Sequence, residues 1–271
     1  MLIRSAFRYF LSAQNEHGLH SPFVFDLYLN TIKKDPIDAE FEVIESIRQQ
    51  MLQSRQQLRI TDYGAGSKVN VSPIREVRDI AQNSKKSAKL GRLFYRLIKR
   101  FDYQHIFDLG TSLGLTTLYM AAANPDAHIT TFEGCPETAK VAEQNFRRAQ
   151  EAYRTTKHDI ATDIRIITGN LDLSLKSQVE AYSKIDFAFF DANHRYEPTI
   201  KYFETCLTKA HENSLFVFDD IHWSTEMEAA WEYIKAHPSV TVTIDLLAVG
   251  LVFFRKKQPK QNFILRWGFW Q

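Results

Sequence analysis

Five side chains carry most of the chemistry that this sequence advertises. Asp191 ends the apolar run "DFAFFD", and Asp219 and Asp220 end "SLFVFDD"; His194 follows the first of these acids by three residues and His222 the last by two. Short apolar runs of this kind read as strands, and neighbouring parallel strands bring the three carboxylates to one rim. Clustered carboxylates repel one another unless a proton or a cation sits between them, and hard oxygen donors suit Mg²⁺, Ca²⁺ or Mn²⁺. A neutral imidazole accepts a hydroxyl proton near neutral pH, which makes His194 and His222 candidate bases and His222 also a candidate ligand. A plainer alternative stands beside this one: Asp191, Asp219 and Asp220 cap the helices that follow, and the histidines are satisfied polar groups.

Two glycine loops compete to serve such a rim, "TDYGAGSK" at Thr61–Lys68 and "FDLGTSLGLTT" at Phe107–Thr117. A glycine turn between a strand and a helix lets backbone N–H groups approach an anion, helped by the positive end of the helix dipole. The second loop has that context, with a strand before it, a helix after it and another strand beyond. The first is followed by "VNVSPIREV", where Pro73 interrupts any immediate long helix. Gly110 and Gly114 are therefore the expected cradle, while Tyr63, Gly64 and Gly66 are expected to form a turn in an N-terminal cover. The spacing of the chosen loop, D-x-G-x-x-x-G, is not the dinucleotide fingerprint G-x-G-x-x-G. The next strand ends in Glu133, about twenty residues on, where an acid accepts hydrogen bonds from a ribose diol.

The elements that must position these residues follow from periodicity. Leu90, Leu93, Phe94, Leu97, Ile98 and Phe101 recur at three- and four-residue steps and predict an amphipathic helix. After residue 104 strand-like runs ("HIFDLG", "HITTFEG", "DIRIITGN", "DFAFFD", "SLFVFDD") alternate with helical stretches. That alternation predicts right-handed βαβ units and a parallel sheet covered by helices. The closing "VTVTIDLLAVGLVFFRKK" holds two strand-like runs with little between them, a hairpin that makes the last strand antiparallel.

Taken together, "SAKLGRLFYRLI", "DLGTSLGLTTLYMA", "TFEG", "FFDANHRYE" and "FVFDDIHW" resemble the class I S-adenosylmethionine-dependent methyltransferases across about residues 88 to 256. Within that family the chain looks most like the small-molecule O-methyltransferase branch that includes catechol O-methyltransferase and macrocin-type sugar methyltransferases. The resemblance implies a Rossmann-like α/β fold, a seven-stranded mostly parallel sheet with an antiparallel last strand. It implies S-adenosyl-L-methionine as cofactor, with Asp108, Gly110, Thr111, Ser112 and Gly114 around its methionine part. Glu133 and Gly134 would serve the ribose, Asn170 the adenine (where aspartate is commoner), and Asp191 the cofactor or the metal. It further implies a divalent-metal site at Asp191, Asp219 and Asp220, and a base at His194, within a D-x-x-H-x-Y pattern that the sugar branch shares. Tyr196 and Trp223 would wall a pocket for a small hydroxylated acceptor, a sugar or lipid-linked molecule among the candidates. "DANH" stands where enzymes that methylate exocyclic amines of nucleic-acid bases carry "NPPY", which argues against that chemistry. Three segments follow: a mainly helical extension at 1–87 covering the acceptor site, a catalytic domain at 88–256, and a basic-aromatic tail at 257–271.

Composition bounds the alternatives. Hydrophobic residues at 44% and charged residues at 24% are ordinary for a globular chain, and a net charge of +2 does not by itself imply a polyanionic partner. Cys135 and Cys206 match no metal or redox spacing, so two structural thiols in the cytoplasm are expected. No apolar run approaches the ~20 residues of a membrane span. Leu2, Ile3, Ala6, Phe7, Phe10 and Leu11 form an apolar helical face beside Arg4 and Arg8. Such a face docks on its own domain, on a second subunit of a homodimer, or on a membrane surface. An RNA or protein methyltransferase would call for a contiguous basic surface, and Lys and Arg here are scattered or in short clusters. A NAD-dependent oxidoreductase would call for the tighter glycine fingerprint. A non-catalytic cofactor-binding protein would keep Gly110 and Glu133 yet bind no acceptor.

Overall fold

The computed structural model describes residues 2–36, 39–61, 72–83 and 88–268. The turn expected at Tyr63, Gly64 and Gly66 lies outside the described residues. The chain forms two compact units, residues 35–174 and residues 1–34 with 175–271.

In chain order the elements begin with α1 (Leu2–Ser12) and α2 (Pro22–Leu27). Ser21 caps α2, its hydroxyl accepting from the Val24 N–H, with Pro22 at the first helical position. Next come α3 (Glu42–Gln53), a short antiparallel pair β1 (Gln57–Arg59) and β2 (Ile74–Glu76), and α4 (Val77–Asn83). The predicted amphipathic helix is α5 (Ala88–Phe101), which buries Leu90, Leu93, Phe94, Leu97 and Ile98 and leaves Lys99 and Arg100 at its C-terminal end, where cations suit the dipole. The alternation then runs β3 (His105–Leu109), α6 (Leu115–Ala123), β4 (His128–Glu133), α7 (Pro136–Tyr153), β5 (Ile164–Thr168), α8 (Leu171–Glu180), β6 (Phe187–Phe190), α9 (Tyr196–Leu207), β7 (Leu215–Asp219), α10 (Thr225–Ala236), β8 (Val242–Asp245), β9 (Val249–Phe253) and β10 (Gln261–Ile264).

Among the described residues, β3 to β10 are eight mostly parallel strands, three in the unit 35–174 and five in the other. In the unit 35–174, β4 lies between β3 and β5 and runs parallel to both. In the other unit the order is β6-β7-β9-β8-β10, and β9 runs antiparallel to β7 and to β8. The expected hairpin is thus β8–β9, closed by residues 246–248. The eight strands are one more than the expected seven. The tail supplies it: β10 pairs in parallel with β8, from Gln261 opposite Val242 to Ile264 opposite Asp245. Its partner strand β8 is buried along its whole length, so pairing satisfies backbone groups that would otherwise be shielded from water. Strands β6, β7 and β9 are likewise buried throughout, as expected of near-continuous apolar runs in a sheet covered on both faces.

Candidate active site

In the unit 35–174 the candidate cofactor cradle is the turn from β3 into α6. Gly110 (φ 125°), Ser112 (φ 50°) and Gly114 (φ 80°) all lie in the left-handed region, so the chain reverses sharply as it leaves the strand. Gly114 is required twice over. A Cβ at that position would lie 2.5 Å from Cε1 of Phe146, and its φ disfavours any other residue. The turn is held from beneath. Asp108 is fully buried, and its Oδ2 accepts the hydroxyls of Thr117 at 2.6 Å and Thr131 at 2.9 Å. Thr111 is buried as well, its Oγ1 2.5 Å from that of Thr131. Asp108 and Thr111 therefore brace the loop, and the wall of the cradle is formed by Gly110, Ser112 and Gly114.

Glu133, at the end of β4, is gripped through both oxygens. The Ser112 N–H donates to Oε2 at 2.8 Å, and the Cys135 N–H to Oε1 at 2.9 Å. Charge-assisted bonds of this kind fix a carboxylate firmly. Each oxygen has a second lone pair, so the group still accepts from a diol. An acceptor-only carboxylate beside a turn opened by two glycines fits S-adenosylmethionine, whose ribose donates and whose amino-acid end needs close backbone approach. Gly134 follows as the link to α7. Asn170 caps α8, its Oδ1 accepting from the Asp172 N–H at 2.9 Å.

In the other unit, the structure groups Asp191, His194 and Asp219: one ligand atom from each lies within 4.8 Å of the other two. His194 Nε2 is 3.6 Å from Asp191 Oδ1. Asp219 is buried at the end of β7, and Asp191 and His194 are half-buried. The turns that carry them use Asx residues at positive φ, Asn193 (53°) after β6 and Asp220 (53°) after β7, the positions that Asn and Asp tolerate best. Asp220 is not in the group. Its N–H donates to the Ala248 carbonyl at 2.8 Å, which ties the turn to the β8–β9 connection. Two carboxylates and an imidazole are a donor set that fits a divalent cation.

His222 has a different setting. Its Nε2 is 2.7 Å from Asp245 Oδ2 and its Nδ1 3.5 Å from Glu228 Oε1. Burial alone would lower its pKa, but the Asp245 hydrogen bond and the charges of Asp245 and Glu228 outweigh burial and raise it. With Nε2 taken up by Asp245 and Nδ1 facing Glu228, the ring suits a brace between the turn after β7 and the end of β8. Trp223 is partly exposed, and Tyr196 packs edge-on against Tyr233 with ring centroids 6.5 Å apart.

Sequence reasoning missed Cys135, Thr131, Asp245 and Glu228. Cys135 had a signal, since it directly precedes Pro136 at the first position of α7. Its Sγ donates to the Arg59 carbonyl and accepts from the Thr61 N–H, so it links the β1–β2 pair to the backbone N–H that holds Glu133. Asp245 and Glu228 reach His222 only through the fold.

Residues 107–221 match a family profile described as a methyltransferase domain. The chain is 28% identical over 137 residues to a catechol O-methyltransferase of Niastella koreensis, covering 50% of this chain and 57% of that one. It is 28% identical over 123 residues to the O-methyltransferase imqG of Aspergillus flavus, covering 44% and 45%. It thus spans about half the length of the curated relatives it matches. Among solved structures, it shares its fold with the Bacillus cereus O-methyltransferase in complex with SAH (TM-score 0.51, 18% identity, 84% of this chain and 94% of that one). It also shares it with the Streptomyces achromogenes O-methyltransferase TomG in complex with SAM (0.54, 16%, 84% and 94%). Over residues 107–221 the chain is thus similar to methyltransferase domains, and it shares the fold of these SAH- and SAM-bound O-methyltransferases.

Proposed function

We propose that the protein methylates an oxygen of a small hydroxylated acceptor, with S-adenosylmethionine as donor and a divalent cation, Mg²⁺ or Mn²⁺, held by Asp191 and Asp219. The carrying observation is the convergence of Asp191, His194 and Asp219. Bound cofactor supplies a methyl group already activated on a sulfonium. Glu133 would accept from its ribose, and the Gly110–Gly114 turn would face its amino-acid end. Asp191 and Asp219 would hold the cation, which would supply Lewis acidity toward an acceptor hydroxyl. His194 takes the hydroxyl proton on its imidazole, oriented by the neighbouring Asp191 carboxylate. Much of the remaining rate enhancement comes from alignment of the acceptor oxygen with the methyl carbon.

The segment before residue 88 is assigned to acceptor choice. Cys135 and Cys206 are both buried free thiols, which supports a reducing cytoplasm. No helix among the described residues is long and apolar enough to cross a membrane.

Calorimetry with S-adenosylmethionine and S-adenosylhomocysteine, with and without Mg²⁺ or Mn²⁺, tests this on wild type and Asp219→Ala. The expected result is cofactor binding by both proteins and metal uptake by wild type alone. Absence of binding to either compound would remove the reading. Cofactor binding without metal uptake would leave a metal-free O-methyltransferase with His194 as base.

A further inference from the structure

We propose that the outward face of α1 docks the protein on an anionic lipid surface. Among the described side chains of the helix and the residue that follows it, one side is fastened to its own unit. Tyr9 and Ala13 are buried there, at 4% and 6% exposure. The Tyr9 hydroxyl donates to the Leu265 carbonyl and accepts from the Trp267 N–H at 3.1 Å, and Arg266 Nε donates to the Ala13 carbonyl at 3.1 Å. A bridge between Gln14 and Leu265 ties the end of the helix to the eighth strand. The other side of α1 presents Phe7, Phe10 and Leu11 at 64%, 55% and 73% exposure, with exposed Arg8 beside them. Isolated exposed apolar residues are ordinary. Three large ones within five positions of a helix, opposite its packed face, mark a surface that meets something apolar.

Charge identifies that partner. Residues 1–15 hold Arg4 and Arg8 and no acid; residues 246–271 hold Arg255, Lys256, Lys257, Lys260 and Arg266 and no acid. Between them, residues 16–245 carry 27 basic and 32 acidic residues. The chain is thus net acidic except in the two segments that these hydrogen bonds join. Some of the tail cations are engaged internally: Lys260 Nζ donates to the His237 carbonyl at 2.7 Å, and Arg255 lies over the Phe23 ring. Lys256, Lys257 and Arg266 are exposed.

A second copy of the chain offering the same face across a two-fold axis would bring Arg8 no acid of the helix to pair with. A nucleic acid would satisfy the cations and leave the phenylalanines without an apolar partner. A bilayer rich in anionic headgroups satisfies both, taking apolar side chains at the acyl boundary and cations at the phosphates. The inference is independent of the acceptor and of the metal.

The test is co-sedimentation of the full chain with vesicles of phosphatidylglycerol and phosphatidylcholine, compared with phosphatidylcholine alone. Binding is expected at least tenfold tighter on the anionic vesicles and to weaken as salt is raised. Phe7→Ser with Leu11→Ser is expected to weaken it roughly a hundredfold, and Arg8→Glu roughly tenfold or more, with thermal melting as the check on folding. If the double variant fails to fold, Arg8→Glu and the salt series on wild type carry the test. Equal binding to both vesicle types, absence of binding to the anionic ones, or variants that bind as wild type would overturn the proposal. So would a concentration-dependent dimer abolished by the same substitutions in a chain that ignores vesicles.

Discussion

The cradle around Gly114 and the acid–histidine group around Asp219 solve opposite physical problems. The cradle is a conformational device, three alternate turn positions at positive φ with a buried carboxylate beneath them and backbone N–H groups closing on Glu133. Its hydrogen bonds are made before any ligand arrives. The acid–histidine group is an electrostatic device, two carboxylates and an imidazole brought close enough to interact strongly. Like charges at that range are relieved by a cation or a proton between them. One region should therefore respond to shape and the other to charge.

The sharpest way to break this contrast is Asp219→Ala. If the group holds a catalytic cation, kcat/KM should fall about a thousandfold, or ~4 kcal/mol in the barrier, while the melting temperature and S-adenosylhomocysteine affinity stay near wild type. A variant that loses cofactor affinity in parallel would show that the two regions are not separable in this way. Gly114→Ala should do the reverse. Its Cβ meets Phe146 and its φ is unfavourable, so urea unfolding should show a loss of about 2–4 kcal/mol, with weakened cofactor binding and metal uptake retained.

This contrast also explains what was legible in the sequence. The cradle is local: Asp108 through Gly114 and the strand ending in Glu133 lie within one βαβ unit, so spacing and residue type disclosed it. The parallel alternation and the closing hairpin were legible for the same reason, being periodic. Asp191 and Asp219 were found as strand ends, because a strand's last residue can be read from its apolar run. Sequence did not reveal that His194 lies with Asp191 and Asp219, because which side chains converge depends on how the turns after β6 and β7 run. Nor did it give the eighth strand, because "QNFIL" becomes a strand only when β8 offers an edge. The pairing of His222 with Asp245 was hidden by a sequence separation of 23 residues.

A smaller effect sharpens the cradle itself. Glu133→Gln keeps the shape, but it lowers the negative charge facing the Ser112 and Cys135 N–H groups and the ribose. Affinity for S-adenosylhomocysteine should drop roughly tenfold, about 1.5 kcal/mol, as for one charge-assisted hydrogen bond. Stability should change little. A full retention of affinity would mean that Glu133 organises the loop without touching the ribose.

The smallest expected effect concerns His222, which separates brace from base. Its pKa is raised in the folded state by Asp245 and Glu228 against the opposing effect of burial. A raised folded pKa means that the pair's contribution is fully present below the unfolded value, ~6.5. It is lost as pH rises through the folded value. Asp245→Asn removes the stronger partner and should cost about 1–2 kcal/mol at pH 6, with a smaller cost above the folded pKa, measured by urea unfolding across that range. If His222 is a brace, His222→Gln should lower stability in the same pH-dependent way and leave the pH profile of kcat/KM with its acidic limb intact, because protonation of the base His194 sets that limb. Disappearance of the limb in His222→Gln, with His194→Gln unaffected, would transfer the proton-accepting role to His222.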